Sequence, residues 1–175
     1  MERIIIIGCG GAGKSTLARQ LGEELNLPVV HLDSIFWLPN WVERDRDEFD
    51  GLVRQEMAKP QWIIDGNYNR TMEERVKYCD TIIYLDFSRM ACLFGIFWRL
   101  LTNIGKTRLD MGPGCKEKID WEFVKWVWNY NKNKRQRYYR MLNEAEGKET
   151  IVLKNRRMVK RFLNSLGKND SLKKE

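Results

Sequence analysis

Short apolar runs that close on glycine or aspartate alternate along this chain with longer stretches whose apolar residues recur every three or four positions. Residues 3–7 are arginine and four isoleucines, a β-branched run that predicts a strand buried on both faces. Leu17, Ala18, Leu21 and Leu25 put a helical stripe on residues 16–25. Pro28 marks a restart, and residues 29–32 read as a second strand ending at Asp33. Residues 34–44 read as an aromatic-rich loop that turns at Pro39-Asn40. Phe49, Leu52, Val53 and Met57 predict a helix over 45–58, with acids in its first turn and Pro60 as its stop. A third strand over 61–64 runs into Asp65-Gly66-Asn67, with a helix expected around 71–77. A fourth strand over 81–85 ends at Asp86, and Ser88 is placed to cap an amphipathic helix over 89–103. Residues 105–114 are loop, broken most clearly at Gly112-Pro113-Gly114. Ile119, Phe123, Trp126, Val127 and Tyr130 share one side of a long helix over 119–142. A fifth strand over 150–153, a closing helix over 157–166 and a frayed tail over 169–175 complete the pattern.

Strands that alternate with helices imply an α/β fold around a five-stranded parallel sheet flanked by helices. We expect one domain over residues 1–175, with its core in 1–88 and 148–168 and a helical lid insertion over 89–147, before the last strand. The longest apolar run, Met90 to Trp98, is too short to span a bilayer, so no membrane is expected as a partner. The scattered Cys9, Cys79, Cys92 and Cys115 lack metal-ligand spacing, and the expectation is a cytoplasmic protein with reduced thiols. Charge is unevenly spread: residues 1–100 sum to −3 and residues 101–175 to +10. A basic half suits an anionic ligand or nucleic acid, or is simply a solvated face.

The chemistry is carried by Gly8-Cys9-Gly10-Gly11-Ala12-Gly13-Lys14-Ser15, which meets the pattern G-x-x-x-x-G-K-[ST] between a strand and a helix. Glycines at Gly8, Gly10, Gly11 and Gly13, with Ala12, let backbone N–H groups surround phosphate oxygens, and the helix N-terminus adds partial positive charge. Lys14 can reach the β- and γ-phosphates, the Ser15 hydroxyl can ligate Mg²⁺, and Thr16 can support the α-phosphate. Gly8, Gly10 and Gly13 also fit the dinucleotide fingerprint, with Asp33 at the distance of its ribose-binding acid. Lys14-Ser15 decides between the two, because only the triphosphate loop requires both. The cofactor expectation is therefore ATP with Mg²⁺, in a P-loop NTPase fold.

Ligands of parallel sheets sit beyond the carboxyl ends of the strands, and Asp33, Asp65 and Asp86 are placed there. Asp65 is preferred over Asp86 as the carboxylate for Mg²⁺. Asp33 is the candidate for orienting or deprotonating a phosphate acceptor, against the alternative of a turn-capping aspartate. His31 reads as a residue packed at the end of its strand. Trp37 and Trp41 flank a turn, where they either stack on a substrate or cover the core.

With these residues placed, the chain resembles the adenylate-kinase-like group of P-loop kinases. Asp65-Gly66-Asn67-Tyr68-Asn69-Arg70-Thr71 is similar to that group's D-G-F-P-R-T stretch, expanded by one residue. The resemblance is nearer still to the bacterial DNA topology modulation proteins, through His31-Leu32-Asp33, Trp37-x-Pro39-x-Trp41, Trp62-Ile63-Ile64-Asp65-Gly66-Asn67-Tyr68 and Tyr84-Leu85-Asp86. It implies that Asn67 and Arg70 contact the acceptor. It also implies that Arg135, and then Arg99, close a lid over the transferring phosphoryl, where the guanidinium fork suits phosphate. The expected function is an ATP·Mg²⁺-dependent phosphotransferase with an unidentified nucleotide or small-molecule acceptor. The alternatives are a nucleotide-dependent regulator that binds DNA through the basic residues of 119–142, and a bare NTPase.

Overall fold

The computed structural model describes residues 1–117 and 121–171. Its centre is β1 (Arg3–Gly8), in which Ile4 to Ile7 are all fully buried. In chain order the further elements are α1 (Lys14–Leu25), β2 (Val29–His31), α2 (Leu32–Phe36), β3 (Trp37–Leu38), β4 (Val42–Glu43), α3 (Arg46–Met57) and β5 (Trp62–Asp65). They continue as α4 (Met72–Tyr78), β6 (Thr81–Leu85), α5 (Arg89–Asn103), α6 (Trp121–Glu144), β7 (Glu149–Leu153) and α7 (Arg156–Ser171). The main sheet runs β2-β5-β1-β6-β7, all parallel, with Ile6 beside Asp65 on one flank and Ile83 on the other.

This order sets the site. The chain leaves β1 toward the β2 edge and leaves β6 toward the β7 edge, so the sheet's connections diverge between β1 and β6. The carboxyl ends of those strands open a crevice there, and the loop after β1 fills it. Leu17, Ala18 and Leu21 seal α1 against the sheet, and Asn26, in the left-handed conformation, closes that helix with its N–H on the Gly22 carbonyl. Asp45 caps α3 by accepting from the Asp47 and Glu48 N–H groups. Ser88 caps α5, as its position predicts.

The structure corrects several boundaries. Leu32 begins a short helix instead of ending a strand, so Asp33 points from α2. The expected loop over 34–44 contains the end of that helix and the β3–β4 hairpin around Pro39–Trp41, in which Asn40 and Trp41 take positive φ. Alternation in two-residue strands is too brief to show in a sequence pattern. α7 continues to Ser171, past the expected fraying point. Ile119 lies outside the described residues. All four cysteines are free thiols, and all are buried.

Candidate active site

The loop after β1 is held from below by a chain of hydrogen bonds that starts at a buried arginine. Arg75 on α4 is fully buried and donates to the carbonyls of Gly66 (2.9 Å), Asn67 (3.2 Å) and Tyr68 (2.8 Å), and to the Thr71 hydroxyl (3.1 Å). Burial depresses its pKa to about 10. The turn it fixes presents Asn67, whose side-chain amide donates to the Gly8 carbonyl (2.8 Å) and accepts from the Gly8 N–H (3.1 Å). Asn67 thus clamps the start of the phosphate loop. It also lines the cleft, but both ends of its amide are spent on the loop.

From above, the loop meets α5. A Cβ on Gly95 would lie 2.0 Å from the Gly11 carbonyl oxygen, so that helix and the loop pack backbone to backbone. Gly11 and Gly13 take φ of +78° and +93°, which side chains rarely adopt. Around Gly13 nothing stands within 4 Å of a Cβ position, because it faces the cleft. Gly13 caps α1 without a side-chain acceptor, so no side chain occupies the first N–H groups of that helix as a cap. Lys14 lies back across the loop, its Nζ 3.2 Å from the Cys9 carbonyl.

The cleft over this loop has a volume of about 690 Å³ and is lined by Gly10 to Leu17, Asp33, Asn67, Tyr68, Trp98, Arg99, Arg108 and Asp110, among others. Asp33 is half-buried and accepts from the Tyr68 hydroxyl at 2.8 Å. Burial raises its carboxyl above the usual range, although Lys14 and the Tyr68 hydrogen bond pull the other way. Such a carboxylate accepts protons more readily than an exposed one.

The other strand-end acids turn away from the cleft wall. Asp65 is 4% exposed and holds His31 Nδ1 at 2.6 Å. Burial alone would depress that imidazole, but the hydrogen bond and charge of Asp65 leave its pKa raised. Asp86 accepts from Arg135 (2.7 and 3.1 Å) and from the Tyr139 hydroxyl (2.8 Å), all on one oxygen. Arg135, the first lid candidate, is therefore tied to the residue that follows β6 and lies off the cleft wall. Arg99 does line the cleft, with its fork on Glu117 at 2.9 and 3.0 Å. Arg70 is engaged by Asp50 and Asp47, each at 2.8 Å, and does not line the cleft. Trp37 also stays off the cleft wall and packs on Phe36 and Trp41.

Residues 105–117 close the cleft from the lid side. Arg108 reaches Asp110 and Glu117, both at 2.8 Å. Asp110 lines the same cleft as Ser15. Burial would raise the Asp110 carboxyl, but the charge of Arg108 and the nearby Ser15 hydroxyl hold it below the usual range. Sequence reasoning missed Asp110 and Arg108, because charged residues in an aperiodic loop carry no signal of what they face. It missed Arg75 because an arginine in a short amphipathic helix reads as surface.

The sheet order, the loop after β1 and the lid before β7 define the P-loop kinase fold. Solved structures share it, two shikimate kinases among them. Shikimate kinase from Bacteroides thetaiotaomicron superposes with a TM-score of 0.54 at 17% identity, over 97% of this chain and 98% of that one. Shikimate kinase from Acinetobacter baumannii, in complex with shikimate, gives 0.61 at 14% identity, over 95% and 90%. No protein-family model matches the chain, and no curated protein matches it, so the likeness to the DNA topology modulation proteins finds no support there. Among the described residues, no helix is long and apolar enough to cross a membrane.

Proposed function

We propose that this protein is an ATP·Mg²⁺-dependent phosphotransferase acting on a small hydroxylated acceptor. The reading rests on one arrangement: the P-loop lysine and the half-buried Asp33 carboxylate face the same cleft. Gly8, Gly10, Gly11, Ala12, Gly13, Lys14, Ser15 and Thr16 would cradle the triphosphate. Asp33, held by Tyr68, would take the acceptor hydroxyl's proton as its oxygen bonds to the γ-phosphorus. The bond from that phosphorus to the bridging oxygen then breaks, and ADP leaves. Arg99 would shift part of its fork from Glu117 to the transferring phosphoryl. Arg135, fixed on Asp86, would brace α6 from behind the site.

The Ser15 hydroxyl, on the cleft wall, fits Mg²⁺, and Asp65, one strand away, would add an oxygen only by turning from His31. Among the described residues, no three His, Cys, Asp or Glu side chains converge into a metal cage. Mg²⁺ needs none, since phosphates and waters supply most of its ligands. When bound, the ion would neutralise charge that develops on the phosphates.

The test is ADP release from Mg·ATP across a panel of nucleosides, nucleoside monophosphates and small hydroxylated metabolites. Release should depend on one class of acceptor. Lys14→Ala should lower turnover at least about a hundredfold, as removal of a transition-state charge stabiliser does. Release that ignores every acceptor would mean a bare NTPase, and undiminished turnover in the variant would remove the assignment.

A further inference from the structure

We propose that the outer face of α5 is a docking surface for an anionic lipid membrane, on which the protein lies without crossing it. The proposal is independent of the phosphotransferase reading. α5 is apolar on two opposite sides. On one, Cys92 and Ile96 are buried, and a Cβ on Gly95 would meet the Gly11 carbonyl oxygen at 2.0 Å. Arg99, which lines the cleft, completes that side. On the other, Met90, Phe94, Phe97 and Leu101 recur at i, i+4, i+7 and i+11 and are 57–65% exposed. Trp98 stacks on Phe94, with ring centroids 6.4 Å apart, and joins this stripe to the cleft. Between Met90 and Asn103 the only charged residue is Arg99, so the stripe carries none. A helix apolar all round is normally buried, yet here one row of large side chains stays in water.

The rim indicates what covers that row. Among the described residues of 89–134, the exposed charged side chains are Arg89, Lys106, Lys116, Lys125 and Lys132, against one acid, Glu122. Asp110 and Glu117 are held inward by Arg99 and Arg108. On α6, Trp121, Lys125, Trp128 and Lys132 repeat the same spacing and are all exposed, opposite the buried Val127 and Tyr130. Arg89 lies over the Trp128 ring, 4.7 Å from its centroid, so the two outer faces adjoin where α5 begins.

A second copy of this chain would bring the same basic rim against itself and be repelled. A nucleic acid would answer the charge but offer no apolar phase to Met90 and Leu101. An anionic bilayer answers both. Acyl chains take the stripe to a depth of about 5–10 Å, the tryptophans sit at headgroup level, and the lysines meet the lipid phosphates. α5 has 15 residues, about 22 Å of helix, and lies in the plane of the interface, so the shortness that keeps it from spanning a bilayer is no obstacle. Arg99 stands on the far side of the helix, and docking leaves the cleft facing water.

Flotation of the full chain with vesicles of phosphatidylcholine, and of equal parts phosphatidylcholine and phosphatidylglycerol, tests the surface. Binding to the mixed vesicles should exceed binding to the neutral ones at least about tenfold and weaken with salt. Phe94→Ser with Leu101→Ser should lower partition onto the mixed vesicles at least about tenfold. Lys125→Glu with Lys132→Glu should lower it by a similar factor at low salt. All four side chains are exposed, and none lines the cleft. Wild type that floats with neither vesicle overturns the proposal. So does equal partition of the wild type and the folded apolar variant, since charge alone would then hold the protein. Self-association, or retention of a single-stranded oligonucleotide, that the apolar variant abolishes and that comes without vesicle binding gives the face to a second copy or to nucleic acid and likewise overturns it. If the apolar variant does not fold, wild-type tryptophan fluorescence decides: quenching by brominated acyl chains in the mixed vesicles supports the proposal, and no quenching overturns it.

Discussion

The two walls of the cleft are built on different terms. The sheet-end wall is held by groups with no alternative partner: Arg75 fills three backbone carbonyls and a hydroxyl out of reach of water, and Asn67 passes that rigidity to Gly8. The lid wall is held by charges that face the cleft, with Arg99 and Arg108 sharing Glu117 and Arg108 also holding Asp110. Its surroundings are open: Leu109 is 85% exposed and Ile104 63%. A buried donor cannot trade its acceptors without leaving them unsatisfied, whereas a guanidinium at a cleft can trade a carboxylate for a phosphate. The first wall is a platform and the second a set of exchangeable contacts.

Arg75→Met tests the platform and carries the largest expected effect. Each hydrogen bond from a charged donor is worth about 1.5–3 kcal/mol, and the deserted carbonyls would remain buried. We expect at least about 3 kcal/mol loss of global stability in urea unfolding, with nucleotide affinity lost in parallel, since Asn67 would no longer be fixed. A loss under about 1 kcal/mol would erase the distinction between the walls.

Glu117→Gln tests the exchangeable wall, with a smaller and more local effect. Glu117 is 4% exposed, and its carboxylate bridges two guanidiniums. Without it Arg99 and Arg108 repel, and the lid should open more often. Amide hydrogen exchange across 105–117 should accelerate by roughly tenfold to a hundredfold, while the amides of β1 keep their protection. Equal acceleration in both places would make the lid part of the core.

The same division explains what the sequence made legible. The platform's strands and its P-loop announce themselves locally, through isoleucine runs, glycine spacing and Lys14-Ser15. Their chemistry and their fold signal occupy the same residues. Strand ends were harder. Asp33, Asp65 and Asp86 look equivalent in sequence, yet one faces the cleft and two are consumed by His31 and Arg135. That difference is set by residues far away along the chain. Arg135 and Arg99 sit on consecutive helices with the same chemistry, and only the packing of α5 against the P-loop brings Arg99 to the cleft. Asp110 depends on a hairpin catch made by two-residue strands, a long-range contact with no periodicity to betray it.

The smallest effect is a pH dependence inside the platform. His31 is the only histidine, and its pKa lies above the ordinary 6.5 because Asp65, despite the burial that opposes it, favours the imidazolium. A base raised in the fold contributes stability that is complete below its unfolded pKa and is lost as pH rises through its folded one. The urea midpoint of the wild type, minus that of His31→Gln, should therefore be largest below the ordinary 6.5, fall as pH rises above it through the raised folded value, and then level off. A flat difference would mean a neutral imidazole beside Asp65. That outcome would reach beyond stability: an Asp65 carboxylate without a cationic partner would be freer to serve a metal ion.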